Sequence, residues 1–120
     1  MNLSTTLTEE ECYATIVKAL GGLSNVVQWE KKAFGSTGLS IGKKIFVMRV
    51  RGQLVIKLRS ARVDELIERG VGERFQLGQK RMKEWIALFP TSEEDCLSLS
   101  REAMEYVASQ SGSVPPPQPR

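Results

Sequence analysis

Apolar positions along this chain recur first at helical spacing, then at every second residue, then at helical spacing again. Tyr13, Ile16, Val17 and Leu20 stand at i, i+3, i+4 and i+7, which lays one apolar stripe on an amphipathic helix. Thr8 and Glu11 ahead of it have the spacing of a capping box, in which the hydroxyl accepts from the Glu11 amide while the carboxylate reaches back. Glu9, Glu10 and Glu11 also sit at the positive end of the helix dipole. Gly21-Gly22 predicts the stop, because glycine tolerates the left-handed conformation that ends many helices.

From Val26 the period is two. Val27, Trp29 and Lys31 alternate with Gln28, Glu30 and Lys32, until Phe34-Gly35-Ser36-Thr37-Gly38 predicts a bulge or tight bend. Leu39 to Ile41 resumes extended structure, and Gly42-Lys43 turns it. Phe46, Met48 and Val50 are expected on one face of the next strand. After the short Arg51-Gly52 turn, Leu54, Ile56 and Leu58 answer them, an antiparallel meander by loop length. Ser60 is expected to cap a second, shorter helix with Val63, Leu66 and Ile67 inward and Gly70 at its end. Glu73 to Gln79 reads as a loop or short strand containing Phe75, and Met82 to Phe89 as a strand carrying Trp85. Thr91-Ser92-Glu93-Glu94 opens a last helix whose buried stripe is Cys96, Leu99, Ala103, Tyr106 and Val107.

The pattern predicts an α+β domain over residues 1–109. It has two layers: an antiparallel sheet of about five strands, with helices packed on one face, in the order α-β-β-β-α-β-β-α. Residues 110–120 are expected to be a disordered tail, since Ser111-Gly112-Ser113-Val114 and three prolines lose both periodicity and amide donors. At 120 residues there is room for one core. The longest apolar run, Ile45-Phe46-Val47-Met48, is strand length, and the N-terminal segment is polar and then acidic, unlike a signal peptide. The chain reads as cytoplasmic, with Cys12 and Cys96 as two small buried side chains.

Composition narrows the chemistry. The sequence contains no histidine, which removes the usual general base, the usual activator of serine and cysteine nucleophiles and the commonest metal ligand. A zinc site without histidine usually needs four thiolates, and the chain has two cysteines. Most carboxylates lie at helix starts, where the dipole explains them, and none pair in an apolar setting. No catalytic residue, metal or cofactor is expected.

Charge is uneven. Residues 26–90 carry fourteen lysines and arginines against six acids, while both terminal segments are net negative. A basic sheet face can meet phosphates, with salt-dependent affinity; the plainer reading is cations that keep exposed strands from pairing. Lys43, Lys44, Arg74, Arg81 and Lys83 are the candidate anion or nucleic-acid contacts, and a small anion pocket near Arg74, Arg81 and Lys83 is the sharpest form of that reading. Phe46 and Trp85 read as core, so no stacking platform for bases accompanies these charges. Gly42-Lys43 is followed by Lys44, and Thr37 stands where a phosphate-binding loop needs its first glycine, so that motif fails.

Four segments in order resemble the TfoX/Sxy N-terminal domain family over residues 10–108. They are Ala33 to Leu39 followed by Gly42 to Val47; Leu54 to Leu58 with Arg62 to Leu66; Gly72-Glu73-Arg74-Phe75; and Met82-Lys83-Glu84-Trp85. Phe34, Gly35, Gly38, Gly42 and Trp85 are the structural positions of that pattern. The resemblance implies a two-layer fold of the kind shared with secretion chaperones and YjbR-like proteins, and no catalytic site. Some members regulate competence genes and carry a second, helical C-terminal domain. Here a proline-rich tail stands in its place, so the chain reads as a single-domain member. The expected function is therefore a non-catalytic regulatory or binding domain that acts through contacts with another protein or itself, without membrane or metal. The alternative is a weak, electrostatic, transcription-associated nucleic-acid binder.

Overall fold

The capping signals ahead of the first and last helices both act as the sequence leads one to expect. In the computed structural model, which describes residues 7–31, 36–77 and 79–110 and omits the side chains at 77, 80 and 81, helix α1 spans Glu9–Leu20. The Thr8 hydroxyl accepts from the Glu11 amide at 3.1 Å, and the Glu11 carboxylate accepts from the Thr8 amide at 2.9 Å. Helix α3 spans Glu93–Gln110, with the Ser92 hydroxyl accepting from the Asp95 amide at 3.2 Å. Of the bend expected over Phe34 to Gly38, Ser36, Thr37 and Gly38 are paired strand residues instead, and Gln110, expected to begin the tail, ends α3. Phe34, Gly35, residues 111–120 and the Arg81 side chain lie outside the described residues.

Between these helices run β1 (Val26–Lys31), β2 (Ser36–Ile41), β3 (Lys44–Val50), β4 (Gln53–Lys57), α2 (Ser60–Glu68), β5 (Gly72–Leu77) and β6 (Lys80–Leu88). The sheet is antiparallel, in the order β1-β2-β3-β4-β6-β5. It has six strands rather than about five, because the stretch Leu39 to Ile41 belongs to a separate strand folded back on β1, with Val26 opposite Ile41. The segment from Gly72 to Leu77 is a strand, not a loop.

Two helix ends differ from expectation. Ser60 is the first residue of α2, not its cap. Arg59 occupies the cap position in extended conformation and makes no side-chain cap bond. Its carbonyl accepts from the amides of Arg62 and Val63, while its guanidinium lies 5.2 Å from the Tyr106 ring centroid. Gly21 stays right-handed, at φ −66°, because the chain leaves α1 through successive turns in which Leu23 bonds Leu20 and Val26 bonds Leu23. Gly70 does adopt the left-handed conformation expected of it, at φ 78°.

All three helices share one sheet face. Leu39, Val47, Ile56 and Ile86 form a cross-strand row. That row packs in one cluster with Ile16, Val63, Leu66, Leu99, Ala103 and Val107. Phe46 belongs to the same cluster, which contradicts its expected alignment with Met48 and Val50. The register slips by one between Leu39 and Ser40, so β3 holds an extra residue there. Such a bulge leaves two consecutive side chains on one side, and Phe46 and Val47 are both fully buried against the helices. Met48 and Val50 consequently face the other way. No described helix is long and apolar enough to cross a membrane.

Cys12 and Cys96 are buried free thiols where α1 meets α3. The Cys12 thiol donates to the carbonyls of Leu7 and Thr91, residues that also form a bridge between the two helix starts. Burial, with the Cys12 thiol alongside, pushes the Cys96 thiol from its ordinary 9.0 up to about 12. Its thiolate fraction at neutral pH therefore drops about a thousandfold, and alkylation of native Cys96 should be slower than in urea by at least that factor. Above pH 9.0 the unfolded thiol releases its proton while the folded one holds it until about 12. The unfolded state then binds fewer protons, so stability should fall across that window. Urea melts of wild type and Cys96→Ala at several alkaline pH values check this: the variant should show the shallower decline.

Candidate interaction surface

The sheet face away from the helices is apolar as well, and the sequence carries the signal for it. β4 reads Leu54-Val55-Ile56, a continuous run rather than an alternation, and all three side chains are buried. A strand apolar on both sides needs two packed faces. Leu54 and Ile56 serve the helix side; Val55 serves the other. It joins Phe75 and Ala87 in a second cluster, against which Met48, Val50, Met82 and Trp85 are half-buried.

Register explains how these residues meet. Trp29, Gly38, Met48, Val55, Ala87 and Glu73 lie opposite one another in a row that crosses all six strands. On one side of that row Lys57 stands opposite Trp85, and on the other Val50 stands opposite Gln53. Val27 and Lys31 flank Trp29 on the edge strand with the same pleat, and Val27 is 61% exposed. Trp29 lies directly on Gly38: a Cβ there would fall 2.6 Å from the indole ring and 2.3 Å from the Val47 carbonyl oxygen. The absence of a side chain at position 38 thus makes the seat for the ring. The Trp29 carbonyl accepts from Thr37 Oγ1 at 2.8 Å, and Thr37 in turn meets the Tyr13 hydroxyl at 3.1 Å, which ties this edge to α1. Burial raises the Tyr13 hydroxyl's pKa. The buried Trp29 indole N–H has no acceptor among the described residues. Trp85, expected in the core, is instead half-buried on this second face, with the Lys57 ammonium 5.6 Å from its ring centroid.

The cations expected to contact anions are dispersed. Lys43 and Lys44 occupy the exposed β2–β3 turn, where Lys43 and Gly42 both have positive φ. Arg74 lies three strands away, roughly 14 Å at the usual strand spacing. It bonds Asp64 of α2 and donates to the Lys83 carbonyl at 3.3 Å. Ser60, Asp64, Arg74 and Lys83 line an open hollow of about 560 Å³, but the Asp64 carboxylate already takes the Arg74 guanidinium. Carboxylates engage other cations of the basic segment too. Glu9 holds Arg49, Glu102 and Glu65 hold Arg62 at 2.8 and 3.0 Å, and Glu84 lies 3.8 Å from Lys57. These carboxylates raise the pKa of Arg49 and Arg62 further. Glu84 also accepts from the Tyr106 hydroxyl at 2.8 Å. Among the described residues, no three histidine, cysteine or carboxylate side chains cluster closely enough to hold a metal ion.

Another open hollow, about 400 Å³, lies at the end of the sheet between Gln53, Glu73, Ala87 and Phe89 and the start of α1 at Leu7, Thr8 and Glu9. Comparison with protein-family models, curated proteins and solved structures finds no match to this chain.

Proposed function

We propose that this chain is a non-catalytic binding module that engages another protein through the sheet face its own helices leave uncovered. One observation carries the reading: exposed Val27 and half-buried Trp29, Met48, Val50, Met82 and Trp85 spread over a buried cluster of Val55, Phe75 and Ala87 on that face. Contiguous apolar surface away from the main core marks interaction sites in folded proteins. The reading is in keeping with the resemblance to the TfoX N-terminal domain family, since Gly38 and Trp85, two positions of that pattern, lie on this face.

The test is affinity capture from the native source with nuclease present, comparing wild type with Val27→Asp and Met48→Gln. Both side chains are at least partly exposed, so each variant should melt within a few degrees of wild type. A protein retained by wild type and lost with both variants supports the reading; retention unchanged by either overturns it. A second reading, electrostatic nucleic-acid binding, draws on the net charge of the sheet segment. It requires anisotropy-detected oligonucleotide binding that weakens steeply between two salt concentrations. No binding at low salt ends it.

A further inference from the structure

The uncovered face is apolar in the middle and basic around it. Lys31 shares the pleat of Trp29, Lys57 lies over Trp85, and Arg51 sits in the turn beyond the Val50–Gln53 pair. Lys31 and Arg51 are exposed and make no salt bridge among the described residues. Against these three cations stand Glu73 at the far end of the row, which accepts from Gln53 at 3.5 Å, and Glu84, which lies 3.8 Å from the Lys57 ammonium.

We infer that the partner of this face is an acidic amphipathic segment, a short helix with apolar residues on one side and aspartates or glutamates on the others. The inference rests on the protein-binding reading above and adds the partner's chemistry. Three arguments select it. A partner with an apolar stripe and acidic flanks completes both features at once, covering Val27 and the half-buried side chains while its carboxylates meet the cations. A second copy of the same face would set cations against cations, which opposes two-fold self-association. Base stacking needs open ring faces, whereas Lys57 lies over the Trp85 ring, Gly38 backs Trp29 and Phe75 is 5% exposed. The row from Trp29 to Ala87 crosses four strand spacings, roughly 19 Å, which a helix of about 13 residues spans.

The chain has two tryptophans, Trp29 and Trp85, and both lie on this face, so intrinsic fluorescence reads its occupancy directly. The probes are three synthetic peptides: one with leucines at i, i+3, i+4 and i+7 and glutamates elsewhere, one with lysine replacing every glutamate, and one with the first composition scrambled. The glutamate peptide should shift the emission saturably, with affinity that falls as salt rises. The lysine and scrambled peptides should bind at least about tenfold more weakly, and the double variant Lys31→Glu/Lys57→Glu should narrow or reverse the preference between charges. Equal or tighter binding of the lysine peptide overturns the inference. So does a dimer, seen by sedimentation at the same concentrations and dissociated by Val27→Asp, because the face then belongs to a second copy. So does oligonucleotide binding that shifts the same emission. The failure of the inference alone is recognisable: the captured protein still disappears with Val27→Asp and Met48→Gln, but the peptides show no charge preference. If capture survives those variants, the broader reading has failed instead.

Discussion

Phe46→Ala is expected to destabilise the domain by about 4 kcal/mol. Phe46 is the largest of the fully buried side chains, and it reaches the helix side only through the register slip opposite Leu39 and Ser40. Truncation removes the transfer energy of the ring and leaves a cavity that the sheet cannot close. Its neighbour Val47 is pinned by pairing with Leu39 and Ile56. With typical domain stability near 5–15 kcal/mol, a loss of this size takes a large share of the total and lowers the melting temperature by roughly 15–30 °C. Urea denaturation measures it. Met48→Ala is the control: one residue past the bulge on the other face and half-buried, it should cost well under half as much. Equal costs would place Phe46 on the outer face and contradict the bulge.

Gly38→Val should cost about 3 kcal/mol and simultaneously dismantle the edge of the binding face. The space for a Cβ is taken twice, by the Val47 carbonyl oxygen at 2.3 Å and by the Trp29 ring at 2.6 Å. The carbonyl cannot yield without loosening the β2–β3 ladder. The indole therefore leaves its seat, and Trp29 becomes exposed. The measurement pairs a urea melt with fluorescence: lower stability should come with a red-shifted emission in the folded state. Gly22→Val is the contrast, since a Cβ there meets nothing within 4 Å. It should leave the emission unchanged.

The meander, the three helices and most caps were legible because each rests on local signals: period, capping residues and glycine turns. The faces of β3 were not. Strict alternation put Met48 and Val50 on the same face as Phe46, and a single extra residue separated them, since the pleat inverts with every position. No residue in β3 announces the slip; it follows from pairing with β2 and from the fit of Phe46 among the helices. The cap of α2 was misread for a related reason. Ser60 has the right chemistry, yet Arg59 takes the cap position while its guanidinium stacks on Tyr106 from α3. The apolar second face was half legible, since Leu54-Val55-Ile56 and Ile86-Ala87-Leu88 are both uninterrupted apolar runs. What such runs cannot convey is which other strands add Phe75, Met48 and Trp29 to the same surface. The dispersal of the basic set was not legible because sequence counts charges without their positions or partners. Asp64 reaches Arg74 from the preceding helix, and Glu9 and Glu102 reach Arg49 and Arg62 from helices forty residues away, only after folding.

The pairing of β4 with β6 spans the whole of α2 and β5, and the bridge between Leu7 and Thr91 joins the starts of the first and last helices. Contacts so far apart along the chain slow the search for the native state, which places folding in the millisecond-to-second range rather than the microseconds of helical bundles. During synthesis the sheet can assemble before the residues of α3 leave the ribosome. Leu54, Ile56, Ile86 and Leu88 would then stand open to water, and chain collisions in that interval would compete with completion of the domain.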